Sequence, residues 1–324
     1  MPSLSSDTSI PIQHYWWAGL DFMIDQAGSI VLIEANRSSH MLGEYQEFVG
    51  DDLPFALTAE VMNRAGGTPC LLWRRGEPFP DADEDACYIA RHLSPHLREA
   101  PVVCDVEDNQ EPRTWLMARD GRRVSPGSIF RWWYGLPWSF ERAGVRVINP
   151  NCAWLAVRDK LHAYTAVSGA ATFRVPRSFA VSGAVEAARI MADHPESFHQ
   201  GFVLKPRVGW GGQGVQIGSP GDWPVGAGVN YLLSERIMPR LADGRFWEVR
   251  VFVMAGRYLG GIRHANQSPQ TNYWQGGRPE ALDRETSDRL RQPALEAVAL
   301  LDAASDVMHR QEPPPRSVLT EVEY

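Results

Sequence analysis

The stretch FVLKPRVGWGGQGVQIG, residues 202–218, decides how the rest of the chain is read. An apolar run carries Lys205 into a loop with Gly209, Gly211, Gly212 and Gly214, and a second apolar run follows. Glycines let backbone N–H groups approach an anion closely, and a lysine at a strand end supplies the counter-charge. No Gly-Lys-Ser/Thr follows the glycines, so this is not a Walker loop. A strand rather than a helix is expected after the loop, which excludes a dinucleotide fingerprint as well. What remains is a strand–loop–strand cradle suited to phosphate, or a flexible hairpin with an incidental lysine.

The composition around it is ordinary for a globular chain. With 324 residues, 44% apolar and 22% charged, the length allows two domains or one large α/β domain with an insertion. Lys and Arg number 32 against 39 Asp and Glu, a net charge of −7 that argues against nucleic acid as the main partner. No run approaches a membrane span, and MPSLSSDTSIPIQHYWW lacks a basic start followed by an apolar core. A cytoplasmic protein with no membrane partner is the expectation. Cys70, Cys87, Cys104 and Cys152 show no CxxC and no Cys-His spacing, which is neither a zinc pattern nor a disulfide framework.

Outward from the loop, residues 20–36 (LDFMIDQAGSIVLIEAN) read as a β-hairpin turning at Gly28. Residues 52–65 have helical periodicity and stop at Gly66-Gly67. The run CLLWRR, an acidic Pro-rich loop, a short helix from Cys87 to Leu93, and strands at 101–106, 114–118, 128–133 and 145–148 suggest an open α/β sheet to about residue 150. After it, RDKLHAYTAVSGA reads as one helix ending near Gly169. NYLLSERI and WEVRVFVMAGRYLGGIR read as strands, 283–304 as an amphipathic helix, and SVLTEVEY as a last strand.

Lys160 lies about 45 residues before Lys205, and YLLSERIMPR, GRFWEVRVFVMAGRYLGGIRHA and TNYWQGG follow it. Over residues 149–277 this order of motifs resembles the ATP-grasp superfamily of carboxylate–amine ligases. The resemblance implies an α/β (α+β) fold: two lobes sandwiching ATP, plus an open-sheet pre-ATP-grasp domain. It divides the chain into a hairpin segment (1–50), a pre-ATP-grasp domain (51–148) and ATP-grasp lobes (149–233 and 234–324). Lys160 and Lys205 match the lysines that hold ATP phosphates, and Gly211, Gly212 and Gly214 the mobile phosphate lid. Residues 235–238, with Glu235 and Ile237, match the inter-lobe hinge that meets adenine, and Glu248 the acid at the ribose. Arg250 and Arg263 match arginines near the transferring phosphate and acyl group, and Asn272 the asparagine before the Gly-Gly pair. Arg245 and Arg257 are left as surface charges, and His199 and His264 as surface or structural residues.

Members of this superfamily end in a hairpin whose Asp and Glu-x-Asn bind Mg²⁺. Here the best version is at the front, with Asp21, Glu34 and Asn36. Glu34 and Asn36 share a strand face, folding at Gly28 brings Asp21 opposite them, and three hard oxygen donors suit Mg²⁺. A weaker copy at the end carries Asp306, Glu321 and Glu323. Two orders compete: a circularly permuted one in which the front hairpin completes the site, and an ordinary one in which the end copy does. Ligand quality favours permutation.

The resemblance implies an ADP-forming ligase that makes an amide through an acyl phosphate, with ATP, Mg²⁺ and small-molecule carboxylate and amine substrates such as an amino acid or short peptide. Specialised metabolism is one setting, and there is room for a homodimer. The alternatives are a small-molecule kinase on the same fold and a nucleotide-binding protein without catalysis. Trp132, Trp133, Tyr134, Trp138, Trp210, Tyr273 and Trp274 are candidates for aromatic cleft walls, though core or lid packing is the commoner use of such residues.

Overall fold

A computed structural model describes residues 9–36, 42–73, 86–109, 111–131, 136–209, 211–224, 230–271 and 275–310. Outside these lie the Pro-rich acidic loop, Trp132, Trp133, Tyr134, Trp210, Asn272, Tyr273, Trp274, Glu321, Glu323 and the expected last strand.

The front of the chain is the hairpin β1 (Trp17–Ile24) and β2 (Ile30–Asn36). Its turn is closed by Asp25, whose Oδ1 accepts the Ala27 and Ser29 amides at 3.0 and 2.8 Å, the local bonding that makes Asp a turn residue. Helices α1 (Leu42–Phe48) and α2 (Leu53–Ala65) follow. Next come β3 (Thr68–Trp73), α3 (Ala86–Leu93), β4 (Val102–Asp105), the short pair β5 (Leu116–Met117) and β6 (Arg123–Val124), β7 (Pro126–Arg131), α4 (Ser139–Arg142) and β8 (Arg146–Ile148). Four of these strands form a parallel sheet in the order β4-β3-β7-β8. Their runs, such as Cys70, Leu71 and Leu72, are buried on both faces, as parallel strands usually are.

The expected single helix over RDKLHAYTAVSGA is two helices. Asp159 is extended (φ −95°, ψ 116°), ending α5 (Asn151–Arg158) and capping α6 (Lys160–Ala166) by accepting the Leu161 amide at 2.9 Å. A capping carboxylate competes with helix continuation, so the break falls there. Then come β9 (Ser178–Val181), α7 (Ala184–Asp193), α8 (Pro195–Phe198), β10 (Phe202–Pro206), β11 (Gln216–Gly218) and β12 (Tyr231–Glu235). They make an antiparallel sheet, β11-β10-β12-β9, whose core is Phe198, Phe202, Leu204 and Leu233 under α7 and α8.

The last strands are β13 (Phe246–Met254), β14 (Arg257–Asn266) and β15 (Arg278–Ala281), followed by α9 (Arg284–Arg310). The β13–β14 turn uses Ala255 and Gly256 at positive φ, and a Cβ at Gly256 would meet Ile10 O at 2.0 Å. The order β15-β14-β13-β1-β2 places the front hairpin in the same sheet as the late strands, with Asp21 opposite Arg250. One face of this sheet (Leu20, Phe22, Val249, Val251, Val253) packs on Leu290, Leu295, Val298 and Leu301 of α9. The other carries Trp17, Phe252 and Met254 against α1 and α2, and further along it turns polar, with Asp21, Glu248 and Arg250.

α9 runs beyond residue 304 to Arg310, so Asp306 stands in a helix and not in a hairpin. There it pairs with His14 and Arg310. Among the described residues no helix is long and apolar enough to cross a membrane.

Candidate active site

The site assembles on β2. Lys205, near the end of β10, points its ammonium at Ile33 O (3.1 Å) and the Tyr164 hydroxyl (2.9 Å). Lys160, the first residue of α6, reaches Glu34 Oε1 at 3.3 Å and donates to Gly209 O at 2.8 Å. Two lysines from different elements therefore converge on adjacent residues of one strand. Asp159 fixes this junction by holding the Arg207 guanidinium, while Arg207 O accepts the Lys160 amide at 2.9 Å. The outer edge of β2 is covered by Arg174, which exchanges backbone bonds with Ile30 and Leu32 (3.0 and 2.9 Å).

Burial pushes the Lys205 ammonium below its ordinary value, and the charges of Glu34, Asp21 and Glu248 pull it back up. The same four groups therefore sense one another. Tyr164 donates to Ile33 O at 2.5 Å, and burial, with the charge of Glu34, raises its phenol so that it stays protonated. Sequence reasoning missed Tyr164; its place one helical turn after Lys160 was the available signal.

Across the sheet, Arg250 grips Asp21 in two parallel bonds of 2.7 Å. Burial alone would lower the guanidinium, but the charge and hydrogen bonds of Asp21, with Glu248 and Glu34 behind it, raise it. Asn36 donates to Asp21 Oδ2 (3.2 Å) and to Gly19 O (3.1 Å), so Asp21, Glu34 and Asn36 do share a face. Glu248 is 6% exposed; its Oε2 accepts Thr271 Oγ1 at 2.7 Å, and Oε1 lies 3.7 Å from His264 Nδ1. The cluster thus holds three cations (Lys160, Lys205, Arg250) and three acids (Asp21, Glu34, Glu248).

Asp21→Asn is expected to destabilise the fold by about 3–5 kcal/mol, because it strands a buried guanidinium. Urea denaturation measures this, and a change under about 1 kcal/mol would show that the pair is not held against water.

Arg263 is not brought to this cluster. Register pairs it with Val249, so it lies on the α9 face, bonded to Ala281 O (3.4 Å) and near Glu280 (3.5 Å) and Asp283 (3.9 Å). Glu235 ends β12, and its carboxylate accepts the Arg177 amide at 2.9 Å and pairs with Arg174, which also reaches Asp25 at 3.2 Å. Ile237 is half-buried in the connection between the two antiparallel sheets. The glycine loop turns through Gly211, Gly212 and Gly214, all at positive φ (63°, 73°, 69°). A Cβ at Gly214 would lie 3.0 Å from Pro206 Cγ and 3.2 Å from the Tyr231 hydroxyl. Gln275 and Gln270 contact the loop at Gly211 O and Val215 O, both at 3.4 Å. Trp138 directly precedes α4, and His199 is exposed.

No family profile and no curated protein matches this chain. Solved structures do. A candidate γ-glutamylcysteine synthetase from Methylobacillus flagellatus KT superposes with a TM-score of 0.56 at 14% identity, over 93% of this chain and 91% of that one. The chain has the ATP-grasp fold. D-cycloserine synthetase (TM-score 0.49, 16% identity, 74% of this chain and 82% of that one) is also similar. So is a glutathione synthetase-like effector from Globodera pallida (0.46, 12%, 78% and 73%). Lys205 thus comes from the four-stranded antiparallel sheet, Lys160 from α6, and the acids and Arg250 from the five-stranded sheet.

The donor set facing Lys160 and Lys205 fits Mg²⁺. Glu34 has a second carboxylate oxygen, Asn36 donates through Nδ2 and so leaves Oδ1 as an acceptor, and Asp21 adds a carboxylate now engaged by Arg250.

Proposed function

We propose that this chain is an ATP-dependent, ADP-forming ligase that joins a carboxylate to an amine, with an amino acid or short peptide as substrate. The observation that carries this reading is the meeting of Lys160, Lys205 and Arg250 with Glu34 and Asp21 at β2. Phosphoryl transfer asks for positioning and charge neutralisation more than for a protein nucleophile, and these groups supply both. The γ-phosphoryl group moves from ATP to a substrate carboxylate oxygen, giving ADP and an acyl phosphate. The amine then attacks the acyl carbon, the C–O bond to phosphate breaks, and an amide, phosphate and a proton are released.

Lys160 and Lys205 hold the polyphosphate from two sides, with the amides of Gly211, Gly212 and Gly214 closing over it. Main-chain groups from Glu235 to Ile237 meet the adenine, and Glu248 the ribose hydroxyls, once its bond from Thr271 is exchanged. Arg250 steadies the charge that develops on the transferring group, a role for a fixed guanidinium. Glu34, Asn36 and Asp21 would hold Mg²⁺, which when bound neutralises polyphosphate charge. On this reading the hairpin of residues 1–50 is a permuted part of the second lobe, 51–148 the preceding domain and 149–324 the lobes.

The deciding experiment is a phosphate-release screen over pairs of amino acids and peptides. Release that requires both an acid and an amine is the expected result. ADP formed with the acid alone, accumulating a stable phosphorylated product, would indicate a kinase, and no turnover with any pair while ATP binds would indicate a nucleotide-binding protein. Residues 209–214 should also resist protease when ATP and Mg²⁺ are present. Glycines carry high backbone entropy that phosphate contacts offset, so equal cleavage in both conditions would count against the lid role.

A further inference from the structure

A second constellation lies outside the residues assigned to nucleotide. One ring nitrogen each of His14 and His309 and the Cys152 thiol lie within 4.8 Å of one another. Each is placed by a separate element. His14 belongs to the segment before β1, which is clamped to α9: Asp302 accepts the backbone amides of Gln13, His14 and Tyr15 at 3.0, 2.8 and 2.7 Å. Asp306 and His309 continue that face of α9 at helical spacing, with Asp306 Oδ1 3.5 Å from His14 Nε2. The two imidazole rings sit 4.9 Å apart between centroids. Cys152 is fully buried in the first turn of α5. It is held against α9 by the core that Ala153 and Val157 share with Leu295, Val298 and Leu301.

A fourth group, an acid, stands beside them. Glu141 of α4 accepts the Asn151 amide through Oε1 at 2.7 Å, while its Oε2 is buried without a hydrogen-bond partner. Burial raises that carboxyl and the charge of Arg131 lowers it, and it interacts through charge with Cys152 and His309 as well. Arg131 supplies positive charge near that oxygen, and a cation bound at the three donors would add to it.

We propose that His14, Cys152 and His309 form a binding site for a Zn²⁺-class transition metal that pins the end of α9 and the segment before β1 to α5. One thiolate and two imidazoles are borderline-soft donors that select Zn²⁺ over Mg²⁺, so the site is chemically separate from the oxygen donors at β2. Tetrahedral Zn²⁺ with bonds of about 2.3 Å to sulfur and about 2.0 Å to nitrogen needs its donors roughly 3.3–3.6 Å apart. The exposed His309 side chain can rotate to close that gap, and water completes the fourth position. On binding, the thiol releases its proton as the S–Zn bond forms. Thiolate and Glu141 together balance the charge of the ion, and Asp306 orients the His14 ring as a carboxylate behind a metal-bound histidine does.

Co²⁺ is the probe, titrated into chelator-stripped full-length protein with Mg²⁺ in excess. One equivalent should bind with a thiolate-to-cobalt charge-transfer band in the near ultraviolet. Cys152→Ser should lose the band, and His309→Ala should weaken Co²⁺ binding by at least about tenfold. Zn²⁺ should raise the melting temperature of the wild type but not of His309→Ala, whose exposed side chain makes it the variant that keeps its fold. No band in the wild type, a band that survives Cys152→Ser, or equal Co²⁺ affinity in His309→Ala would each overturn the proposal.

Discussion

Lys205→Ala is expected to lower ATP turnover by about a thousandfold or more while the protein stays folded. The ammonium lies where β10 delivers it to β2, and its partners there, Ile33 O and the Tyr164 hydroxyl, remain bonded to each other when it is removed. What is lost is one of three cations in a cluster with three acids, and a polyphosphate entering the cluster meets a weaker field. Steady-state phosphate release and a thermal melt, run side by side, separate lost chemistry from lost fold. Wild-type turnover in the variant would remove Lys205 from the mechanism. Lys160→Ala should weaken ATP binding as well, because the second lysine approaches from α6. The burial that lowers the Lys205 ammonium also fixes the sign of a pH effect. The charged form is lost as pH rises through the lowered value, so kcat/KM should fall on the alkaline side at a pH below the ordinary lysine value of about 10.4.

Much of this arrangement is legible in the sequence wherever one strand or one turn suffices. Alternation puts Glu34 and Asn36 on one face, Asp25 and Gly28 make the turn, and Asp21 then has to lie across from them. A β-bulge is not legible, and the register shift at Phe252/Val253 is why Arg263 reads like Arg250 in sequence yet faces α9 in the fold. The hairpin turn alone would set Arg263 against Glu248; the bulge moves it one residue on, against Val249. Glu235 shows a related limit: its place at the end of β12 is readable, but its partner Arg174 comes from the segment that covers β2. Asp159 carries a local signal with two meanings, since an aspartate before a run of helix formers is a cap as readily as a mid-helix residue.

The spacing of His14, Cys152 and His309 is beyond any motif. A sequence scan for metal ligands relies on short separations, whereas these three meet only because Asp302 ties the start of the chain to the last helix and α5 packs on the same helix. Asp306 belongs to that junction too, which is why its likeness to a metal-binding acid in an end hairpin does not survive in the helix.

Glu34→Gln is expected to reduce Mg²⁺-dependent turnover by about a hundredfold to a thousandfold, with little change in stability. Its carboxylate is a third exposed and sits 3.3 Å from the buried Lys160 ammonium, which keeps its bond to Gly209 O when the neutral amide fills the same space. The charge it loses is the one that both a divalent ion and the Lys160 ammonium would meet at the polyphosphate. Raising Mg²⁺ should therefore recover part of the activity in Glu34→Gln, whereas it should not rescue Lys205→Ala. Glu321→Gln should stay close to wild type if the front hairpin supplies the donors, because β1 and β2 already occupy the sheet beside β13. Full activity in Glu34→Gln beside a dead Glu321→Gln would move the metal role to the end of the chain. Loss in both would mean that the two ends act on one site, and the sheet order β13-β1-β2 would then describe only half of the donor set.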